Sequence, residues 1–517
     1  MAGGTVQGSE SSVSGSREGG ARSDDEGIDV GCACESEPAG SDSSGVAAGS
    51  GSVDFDLAII GSGSAAFAAA IKASELGASV AIVERGTPGG TCVNVGCVPS
   101  KALLVAADAY RRATHPLIAG VPAADGPPDL AAIVHAKDRL VASLRQAKYL
   151  DLVDEYGFDL IEGTAVFRDP ETIEVNGEPL RARHYLIATG ASPRVPPIEG
   201  LGEVDYLTST TALELTRLPE RLVVIGANAV GLELGQAFLR FGSEVTFVEI
   251  APRIAAFEEP EISEALADAL SEEGARLLVG ATLRRAHRSL GGPVVLEGDL
   301  GGAGGRVEAD EILEATGRVP NTEGLGLDRA GVETDDRGFV VVDRHMRTSN
   351  QRVWGAGDVV PSPQFVYVAA AEGAVAAENA IAGSACSIDY ATVPRVTFTS
   401  PQIAAVGLTE EEARRQGHGV VTATLPLSHV PRAIVSGDTR GLVKLVVDSG
   451  TDRLLGAHLL AEGAGDVIQA AVYALMAGLT AKEIAVAYHP YLTMAEALKL
   501  AAQTLDKDVA KLSCCAA

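Results

Sequence analysis

Cysteine and positive charge are scarce in this chain of 517 residues. Its seven cysteines are too few for a disulfide scaffold, so close pairs among them indicate redox or metal chemistry. Lysine and arginine number 41 against 69 acidic residues, which gives a formal net charge of −28. Such an acidic surface disfavours nonspecific contact with nucleic acid or anionic membrane.

Long apolar runs and secretion signals are also missing. The stretch from Leu57 to Ile71 is interrupted by Gly61, Ser62, Gly63 and Ser64, so we do not expect it to span a membrane. The first fifty residues lack the basic start and apolar block of a signal peptide. We therefore expect a cytoplasmic protein without membrane insertion.

Residues 1–52 have almost no large apolar side chains. They are rich in glycine, serine, alanine and acidic residues, which predicts a disordered tail because too little surface can be buried. Cys32 and Cys34 lie in this tail, either as incidental cysteines or as a weak binding point for a soft metal ion. The remaining length exceeds one core, so several domains are expected.

A dinucleotide-binding pattern begins at residue 55. The apolar strand 55–60 leads into the turn Gly61-Ser-Gly63-Ser-Ala-Ala66, a helix follows, and the next strand ends at Glu84. The glycines permit a tight turn whose N–H groups reach a pyrophosphate at the helix N-terminus. Glu84 stands where a carboxylate can accept hydrogen bonds from a ribose. Strand, turn, helix and acidic residue in this order predict nucleotide binding.

The same succession returns 165 residues later. Strand 222–225 leads into a turn from Gly226 to Gly231, a helix is predicted over 232–241 with Gly242 stopping it, and a later strand ends at Glu249. Asn228 stands where the middle glycine is expected, which weakens the motif. Glu249 favours a free 2′-hydroxyl and hence NADH. Repetition at one constant offset predicts two dinucleotide-binding units, with a ligand-free Rossmann-like unit as the alternative for the second.

Two Ala-Thr-Gly segments echo the repeat, and they end at Gly190 and Gly317. Each follows a short strand and is placed to close a nucleotide domain. From Pro394 onward the chain mixes a strand-like run at 442–447 with predicted helices at 464–476 and 495–505, without a Gly-rich phosphate loop. We therefore expect an assembly domain there.

Between the two repeats lies Gly89-Gly-Thr-Cys92-Val-Asn-Val-Gly-Cys97-Val-Pro-Ser-Lys101. Two cysteines five residues apart at the start of a helix can close a small disulfide, and a helix N-terminus stabilises a thiolate. Zinc is not expected, because no second pair of Cys or His stands nearby. The motif predicts a redox-active pair.

This run resembles the active-site signature of the class I pyridine nucleotide–disulfide oxidoreductases, which include lipoamide dehydrogenase, glutathione reductase and mercuric reductase. The resemblance covers about residues 53–517 and implies FAD, with NADPH or NADH as electron donor. It implies that Cys97 touches the flavin ring as a charge-transfer thiolate and that Cys92 faces the substrate. Lys101 is implied to lie near flavin N5 and to pair with Glu233. Further positions implied to bind or line FAD are Asp358, Gly86, Thr91, Ala165 and Val366.

The expected fold is α/β, with two Rossmann-like domains and a C-terminal α+β dimerisation domain. The expected boundaries are 1–52 for the tail, 53–195 and 318–388 for the FAD-binding and central domain, 196–317 for the NAD(P)-binding domain, and 389–517 for the dimerisation domain.

The C-terminus ends in Ser-Cys514-Cys515-Ala-Ala. Adjacent Cα atoms lie about 3.8 Å apart, below the usual disulfide range of about 4.4–6.8 Å, so the pair is expected to remain two thiols. Two thiolates on a mobile terminus suit capture and handover of a soft metal ion. Incidental terminal cysteines are the alternative.

Mercuric reductases within this family resemble the chain in that ending and in segments 147–149, 364–370 and 490–494. The resemblance implies reduction of Hg(II), delivered as a thiol complex, in mercury resistance. It implies a homodimer in which the tail thiols of one subunit pass Hg(II) to Cys92 and Cys97 of the other. Tyr149 and Tyr491 are implied to help bind Hg(II) at the inner site.

Thiol-reducing relatives use His-Pro-x-x-x-Glu as a general acid–base pair. Here His489 is present, but Met494 occupies the Glu position and Glu496 lies two residues further on. His489 is then either a residual acid–base group or a packed histidine. Two alternatives to Hg(II) reduction therefore stay open, a small-disulfide reductase and a protein that only sequesters Hg(II).

Overall fold

Short apolar strands and helices of the expected kinds build the protein. The computed structural model describes residues 32–34, 53–288, 291–302, 304–508 and 511. The strands are β1 (Cys32–Cys34), β2 (Phe55–Ile60), β3 (Val80–Glu84), β4 (Asp159–Glu162), β5 (Ala165–Asp169), β6 (Thr172–Val175), β7 (Glu178–Leu180), β8 (Ala182–Ile187), β9 (Ala191–Pro193), β10 (Arg221–Ile225), β11 (Glu244–Val248), β12 (Arg276–Leu278), β13 (Thr282–Arg288), β14 (Val294–Asp299), β15 (Gly304–Ala309), β16 (Glu311–Glu314), β17 (Arg318–Pro320), β18 (Val353–Gly355), β19 (Cys386–Ile388), β20 (Arg395–Thr397), β21 (Gln402–Gly407), β22 (Val420–Pro426), β23 (Leu442–Asp448) and β24 (Leu454–Ala461). The α-helices are α1 (Ser64–Glu75), α2 (Gly90–Val95), α3 (Cys97–Thr114), α4 (Leu130–Arg145), α5 (Asp151–Tyr156), α6 (Ala229–Phe241), α7 (Pro260–Glu272), α8 (Leu327–Ala330), α9 (Val366–Ala382), α10 (Glu410–Arg415), α11 (Pro431–Ser436), α12 (Ala464–Met476), α13 (Ala481–Val486) and α14 (Glu496–Gln503).

The first nucleotide unit is built on a five-stranded parallel sheet in the order β18-β8-β2-β3-β4. Helices α1 and α9 pack closely against each other, because small residues face one another between them. A Cβ added at Gly373 in α9 would lie 2.1 Å from the carbonyl oxygen of Ala65 in α1. This contact between the two backbones fixes the start of α9 beside the first Gly-rich turn.

The second unit is a four-stranded parallel sheet in the order β12-β11-β10-β16, faced by the antiparallel strands β13-β14-β15. Helix α6 starts at Ala229, three residues before the predicted start, because Asn228 serves as its N-cap residue. It ends at Gly242, as predicted, where φ is +117°. The antiparallel pair β9 and β17 joins the chain segments that enter and leave this unit.

The C-terminal unit is an antiparallel sheet in the order β20-β21-β24-β23-β22, with α12 and α14 packed on it. The predicted helix at 464–476 has the bounds of α12, and the helix predicted at 495–505 is the shorter α14. The α/β class with a C-terminal α+β domain is thus confirmed.

Two terminal predictions fall largely outside the described residues. Of the predicted tail at 1–52, the structure describes only β1, which pairs antiparallel with β19. Cys514 and Cys515 lie outside the described residues.

One helical stretch, Gly90–Thr114, is long and apolar enough to cross a membrane by length and composition. It combines α2 and α3, which is why no single apolar run in the sequence indicates it. We interpret it as a partly buried helical stretch of the folded chain, because it packs against α4 and α6 and carries Lys101, which pairs with Glu233.

Lys444 of β23 connects the C-terminal unit to α7 of the second nucleotide unit. The residue is 1% exposed, and its ammonium nitrogen lies 3.0 Å from a carboxylate oxygen of Glu259 and 2.9 Å from oxygens of Glu261 and Glu410. A buried cation with three acidic partners holds the two units in one relative position.

Replacing this cation should loosen the junction. We expect Lys444→Ala to destabilise the protein by about 3–5 kcal/mol, because the buried carboxylate of Glu259 loses its cation. The matched control Arg414→Ala removes an exposed partner of Glu410 and should cost less than about 1 kcal/mol. The measurement is the urea midpoint by far-ultraviolet circular dichroism, and equal midpoints for both variants would contradict the assignment.

Candidate active site

The first Gly-rich turn is held in place by Glu84. The hydroxyl of Ser62 donates to Glu84 Oε2 at 2.5 Å, and the N–H of Gly86 donates to Oε1 at 2.7 Å. Gly61 has φ +103°, and an added Cβ would lie 2.4 Å from the carbonyl oxygen of Ala188. The turn therefore requires glycine there. Gly63, by contrast, has an extended backbone and serves as the N-cap residue of α1. Ala66, the third position of the motif, lies in α1 and is fully buried.

Beside this turn lies a cavity of about 210 Å³. The predicted residues Gly61, Glu84 and Ala165 line it, and so does Thr189 of the first Ala-Thr-Gly segment. Asn321, which sequence reasoning missed, lines it too. Asn321 donates its N–H to the carbonyl of Gly190 at 2.9 Å and its amide NH₂ to that of Thr189 at 2.8 Å. The other lining residues are Ile60, Val83, Arg85, Gly163, Thr164, Glu323, Gly324 and Leu325. Backbone and small side chains at the strand ends fit the adenosine and pyrophosphate parts of FAD.

The cysteine motif forms two consecutive helices separated by Gly96. Cys92 lies in α2 and Cys97 is the first residue of α3, an 18-residue helix. A Cβ at Gly96 would lie 2.9 Å from the carbonyl oxygen of Thr91, so the break needs glycine. Both cysteines are free and half-buried. The helix start places backbone N–H groups and the positive end of the dipole at Cys97.

The two thiols ionise very differently. A hydrogen bond from the Cys92 thiol lowers the pKa of Cys97 to about 7, and the ammonium of Lys101 favours the thiolate too, although burial opposes ionisation. The same hydrogen bond raises the pKa of Cys92 far above its ordinary value, and burial adds to the effect. The reduced pair therefore carries one thiolate and one thiol near neutrality.

Lys101 is placed by contacts from two other units. Its ammonium lies 2.7 Å from Glu233 Oε2 on α6 and 4.5 Å from the centroid of the Phe398 ring. The second oxygen of Glu233 accepts from the backbone N–H of Phe398 at 2.9 Å. The structure thus brings together Lys101 and Glu233, as predicted, and adds Phe398 as a cation–π partner.

Tyr149 approaches the cysteine pair from a π-helical turn, Gln146–Leu150. Its ring packs edge-on against Phe67, with centroids 4.8 Å apart, and its hydroxyl hydrogen-bonds to Ser64. Burial raises the pKa of Tyr149, and the negative charges of Cys92 and Cys97 act in the same direction. The phenol therefore stays protonated beside the sulfurs.

Asp358 and Arg318 lie together near Cys97. The buried Nε of Arg318 lies 3.7 Å from Asp358 Oδ2 and has no hydrogen-bond partner among the described residues. Burial raises the pKa of Asp358 and lowers that of Arg318. Glu372 of α9, fully buried, accepts from the N–H of Gly357 at 2.7 Å and so shapes the loop before Asp358. An unsatisfied buried donor beside a carboxyl fits a polar group of the flavin.

Neither Arg318 nor Glu372 was expected from the sequence. Val366, predicted to line FAD, begins α9 and is 38% exposed.

In the second unit, Glu249 repeats the role of Glu84. Its Oε2 accepts from the N–H of Ala227 at 2.7 Å and its Oε1 from that of Ala251 at 2.8 Å. Asn228 has φ −110°, an extended conformation that any residue adopts, so the missing glycine does not impair the turn. Gly231 is constrained more strongly, because its added Cβ would lie 2.0 Å from the carbonyl oxygen of Gly226.

Glu314 was missed by sequence reasoning. It ends β16 beside Ile225 and is 1% exposed. One of its carboxylate oxygens accepts from the N–H of Thr316 at 2.7 Å, and the other has no partner in the described part of the chain. Burial raises its pKa. Gly317 follows with φ +121°, which completes the Ala-Thr-Gly segment.

The remaining predicted residues lie in the C-terminal unit. Tyr491 and His489 are on an exposed loop, with Tyr491 54% exposed and the Nδ1 of His489 3.1 Å from the carbonyl oxygen of Ala487. Glu496 is buried and contacts the backbone of Arg432, and burial raises its pKa. As expected, Glu496 does not orient His489. Within the described residues, no group of three or more His, Cys, Asp and Glu is arranged to hold a resident metal ion.

Comparison with known proteins places the chain in a recognised context. Residues 55–373 match the family described as pyridine nucleotide-disulphide oxidoreductase, and residues 393–502 match its dimerisation domain. A mercuric reductase of Staphylococcus aureus is 52% identical over 90% of this chain and 84% of its own length. That of Streptomyces lividans is 54% identical over 89% and 98%. The HOCl-induced flavoprotein disulfide reductase RclA of Escherichia coli is 30% identical, with a TM-score of 0.77 over 86% of this chain and 98% of that chain.

The thiolate at Cys97 gives a pH prediction. In the reduced enzyme, alkylation of Cys97 should increase as pH rises through about 7, because the thiolate and not the thiol reacts. Lys101→Met should move this midpoint upward, since a favourable positive charge is lost. The rate is measured by mass spectrometry of the Cys97 peptide.

Lys72→Met, which removes a lysine of α1 paired with Glu378, is the matched control and should leave the midpoint unchanged. A midpoint near the ordinary cysteine value of about 8.5 in the unaltered enzyme would contradict the prediction.

Proposed function

The chain belongs to the pyridine nucleotide-disulphide oxidoreductase family and to its mercuric reductase branch, and we propose that it reduces Hg(II) to volatile Hg(0) with FAD and NAD(P)H. It assembles as a homodimer through its dimerisation domain. We further propose that it is a soluble cytoplasmic enzyme of mercury detoxification. The observation that carries the proposal is the reduced pair Cys92 and Cys97, with one sulfur held as a thiolate beside Lys101 and Tyr149.

Bound FAD supplies the two-electron path between the nicotinamide nucleotide and the substrate. The turn at Gly61 and the cavity beside Glu84 would hold its adenosine and pyrophosphate, and Arg318 with Asp358 would hold polar groups nearer the cysteines. The second unit, with Glu249 at the corresponding place, would hold the nicotinamide nucleotide.

The charge state of the pair suits uptake of a dithiolate complex. One small ligand leaves Hg(II) as a thiolate when the Cys97 thiolate bonds to the metal, so the negative charge passes to the departing ligand. The second leaves with the proton of Cys92, which that sulfur loses as it binds Hg(II). The exchange is then balanced without a proton from solvent. Because two Hg–S bonds are broken and two Hg–S bonds are formed, the exchange changes the total bond energy little.

Delivery to this pair would come from the tail. We propose that the partner subunit's Cys514 and Cys515 receive Hg(II) first, since two thiols on a chain terminus can reach solvent and the inner site in turn. Tyr149 stands beside the cysteines, and Tyr491 lies on an exposed loop of the dimerisation domain. We propose that Tyr491 serves the site of a neighbouring subunit, and its exposure supports this role.

The geometry disfavours a small-disulfide reductase. Such an enzyme needs an oriented acid–base histidine to protonate the leaving thiolate. Here His489 binds the carbonyl of Ala487, while Glu496 faces the backbone of Arg432. A soft metal ion needs no such proton, so the loss of this pair is compatible with Hg(II) as substrate.

Turnover assays test the function directly. We expect Hg(II)-dependent oxidation of NADPH or NADH together with release of volatile mercury, and we expect Cys97→Ser to abolish both. Changing Cys514 and Cys515 together to alanine should lower the rate with thiol-bound Hg(II) roughly a hundredfold, because the effective concentration given by the tail is lost. Ser513→Ala, one residue before the pair, is the matched control. Absence of Hg(II)-stimulated turnover in the unaltered enzyme would refute the proposal.

A further inference from the structure

A third group of cysteines lies away from the site described so far. Strand β1 pairs antiparallel with β19 so that Cys34 lies opposite Cys386, Ala33 opposite Ser387, and Cys32 opposite Ile388. Strand β19 follows the C-terminal end of α9, and the N-terminal end of that helix is Val366. The 17 residues of α9 span about 25 Å at 1.5 Å per residue. These cysteines therefore lie at the end of α9 opposite Val366, on other elements than Cys92 in α2 and Cys97 in α3.

The backbone of Cys386 is anchored on the side away from β1. Its N–H donates to Asn379 Oδ1 at 2.9 Å, and its carbonyl accepts from Asn379 Nδ2 at 2.8 Å. Two residues on, the N–H of Ile388 also points away from β1 and donates to the carbonyl of Arg344 at 3.2 Å. Since these groups point away from β1, Cys34 and Cys386 form a non-hydrogen-bonded pair, the closer of the two antiparallel arrangements, with Cα atoms about 4.5 Å apart.

That separation lies within the range that a disulfide spans, about 4.4–6.8 Å between Cα atoms. Cys386 is disulfide-bonded, whereas Cys92 and Cys97 are free. Its partner is therefore Cys32, Cys34, Cys514 or Cys515, and the strand register selects Cys34. Cys32 lies two residues along the same strand, so it falls on the same face of the ladder as Cys34.

We propose that Cys34 and Cys386 form a second Hg(II) site, closed as a disulfide and opened by reduction, with Cys32 as the exchange thiol beside it. Reduction of the Cys34–Cys386 disulfide takes two molecules of a small thiol. These are oxidised to one small disulfide, and their two electrons and two protons convert the two cysteines to thiols. Hg(II) then transfers from a bis-thiol complex, and the two displaced small thiols leave with the two cysteine protons.

The surroundings favour this ion over harder cations. Cys386 is 1% exposed and packs in the apolar core of the first unit. A bis-thiolate complex of Hg(II) is electrically neutral, so it can be buried without the large cost of burying a charge. A zinc site with three or four thiolates would leave net negative charge in the same place. The site does not depend on the proposed catalytic function, because binding requires neither nucleotide nor flavin chemistry.

The experiment isolates the three cysteines in the full chain. A variant with Cys92, Cys97, Cys514 and Cys515 changed to serine is reduced, desalted, and titrated with HgCl₂ against excess glutathione. Retained mercury is counted by native mass spectrometry. We expect one Hg(II) per subunit. Adding Cys386→Ser or Cys34→Ser should remove most of the retained metal, and adding Ala33→Ser, on the opposite face of β1, should leave it unchanged.

Failure to retain Hg(II), or retention unaffected by Cys34→Ser, would overturn the proposal. Cys34→Ser alters only a short edge strand, so it stays informative if the buried Cys386→Ser variant does not fold. Peptide mapping of the air-oxidised three-cysteine chain should show a Cys34–Cys386 cross-link. A cross-link of Cys386 to Cys32 would overturn the assignment. Since no arm measures turnover, an inactive enzyme and an absent second site give different results.

Discussion

The ion pair between Lys101 and Glu233 is the contact on which the site depends. Lys101 lies one turn into the helix that begins at Cys97, Glu233 lies in the helix of the second nucleotide unit, and Phe398 of the C-terminal unit binds both. Three units therefore meet at one ammonium group. Because Glu233 is nearly buried, its charge needs this partner. The same ammonium favours the thiolate at Cys97, so the assembly of the units and the ionisation of the cysteine are linked.

The internal repeat could be predicted from the sequence because it depends on residues that are close together along the chain. A strand, a turn requiring glycine and a carboxylate recur at one spacing. Glu84 accepts from the Ser62 hydroxyl of its turn, and Glu249 accepts from the Ala227 N–H of its own. Asn228 was taken as a weakness, yet its extended φ shows that the middle position does not demand glycine, whereas Gly226 and Gly231 of the same turn do. Residue identity alone does not reveal which position of a motif carries the steric constraint.

Contacts between distant segments could not be predicted in this way. Asn321 binds Thr189 across 132 residues, and Arg318 reaches Asp358 only when β17 and β18 have taken their places. Neither Asn321 nor Arg318 belongs to a periodic sequence pattern. Whether each side chain is buried, and which residue it contacts, can therefore be seen only in the folded chain. The pairing of Cys34 with Cys386 is of the same kind, since a three-residue strand in a polar segment has no apolar alternation to predict it.

The scarcity of cysteine now has a chemical meaning. The chain carries 69 carboxylates, but these are hard ligands that compete poorly for a soft ion such as Hg(II). Only seven thiols compete strongly, and they divide into an inner pair, a terminal pair, and a group at β1 and β19, with none left over. A chain acidic in charge and sparing in sulfur therefore lets position, rather than overall affinity, decide where the ion goes.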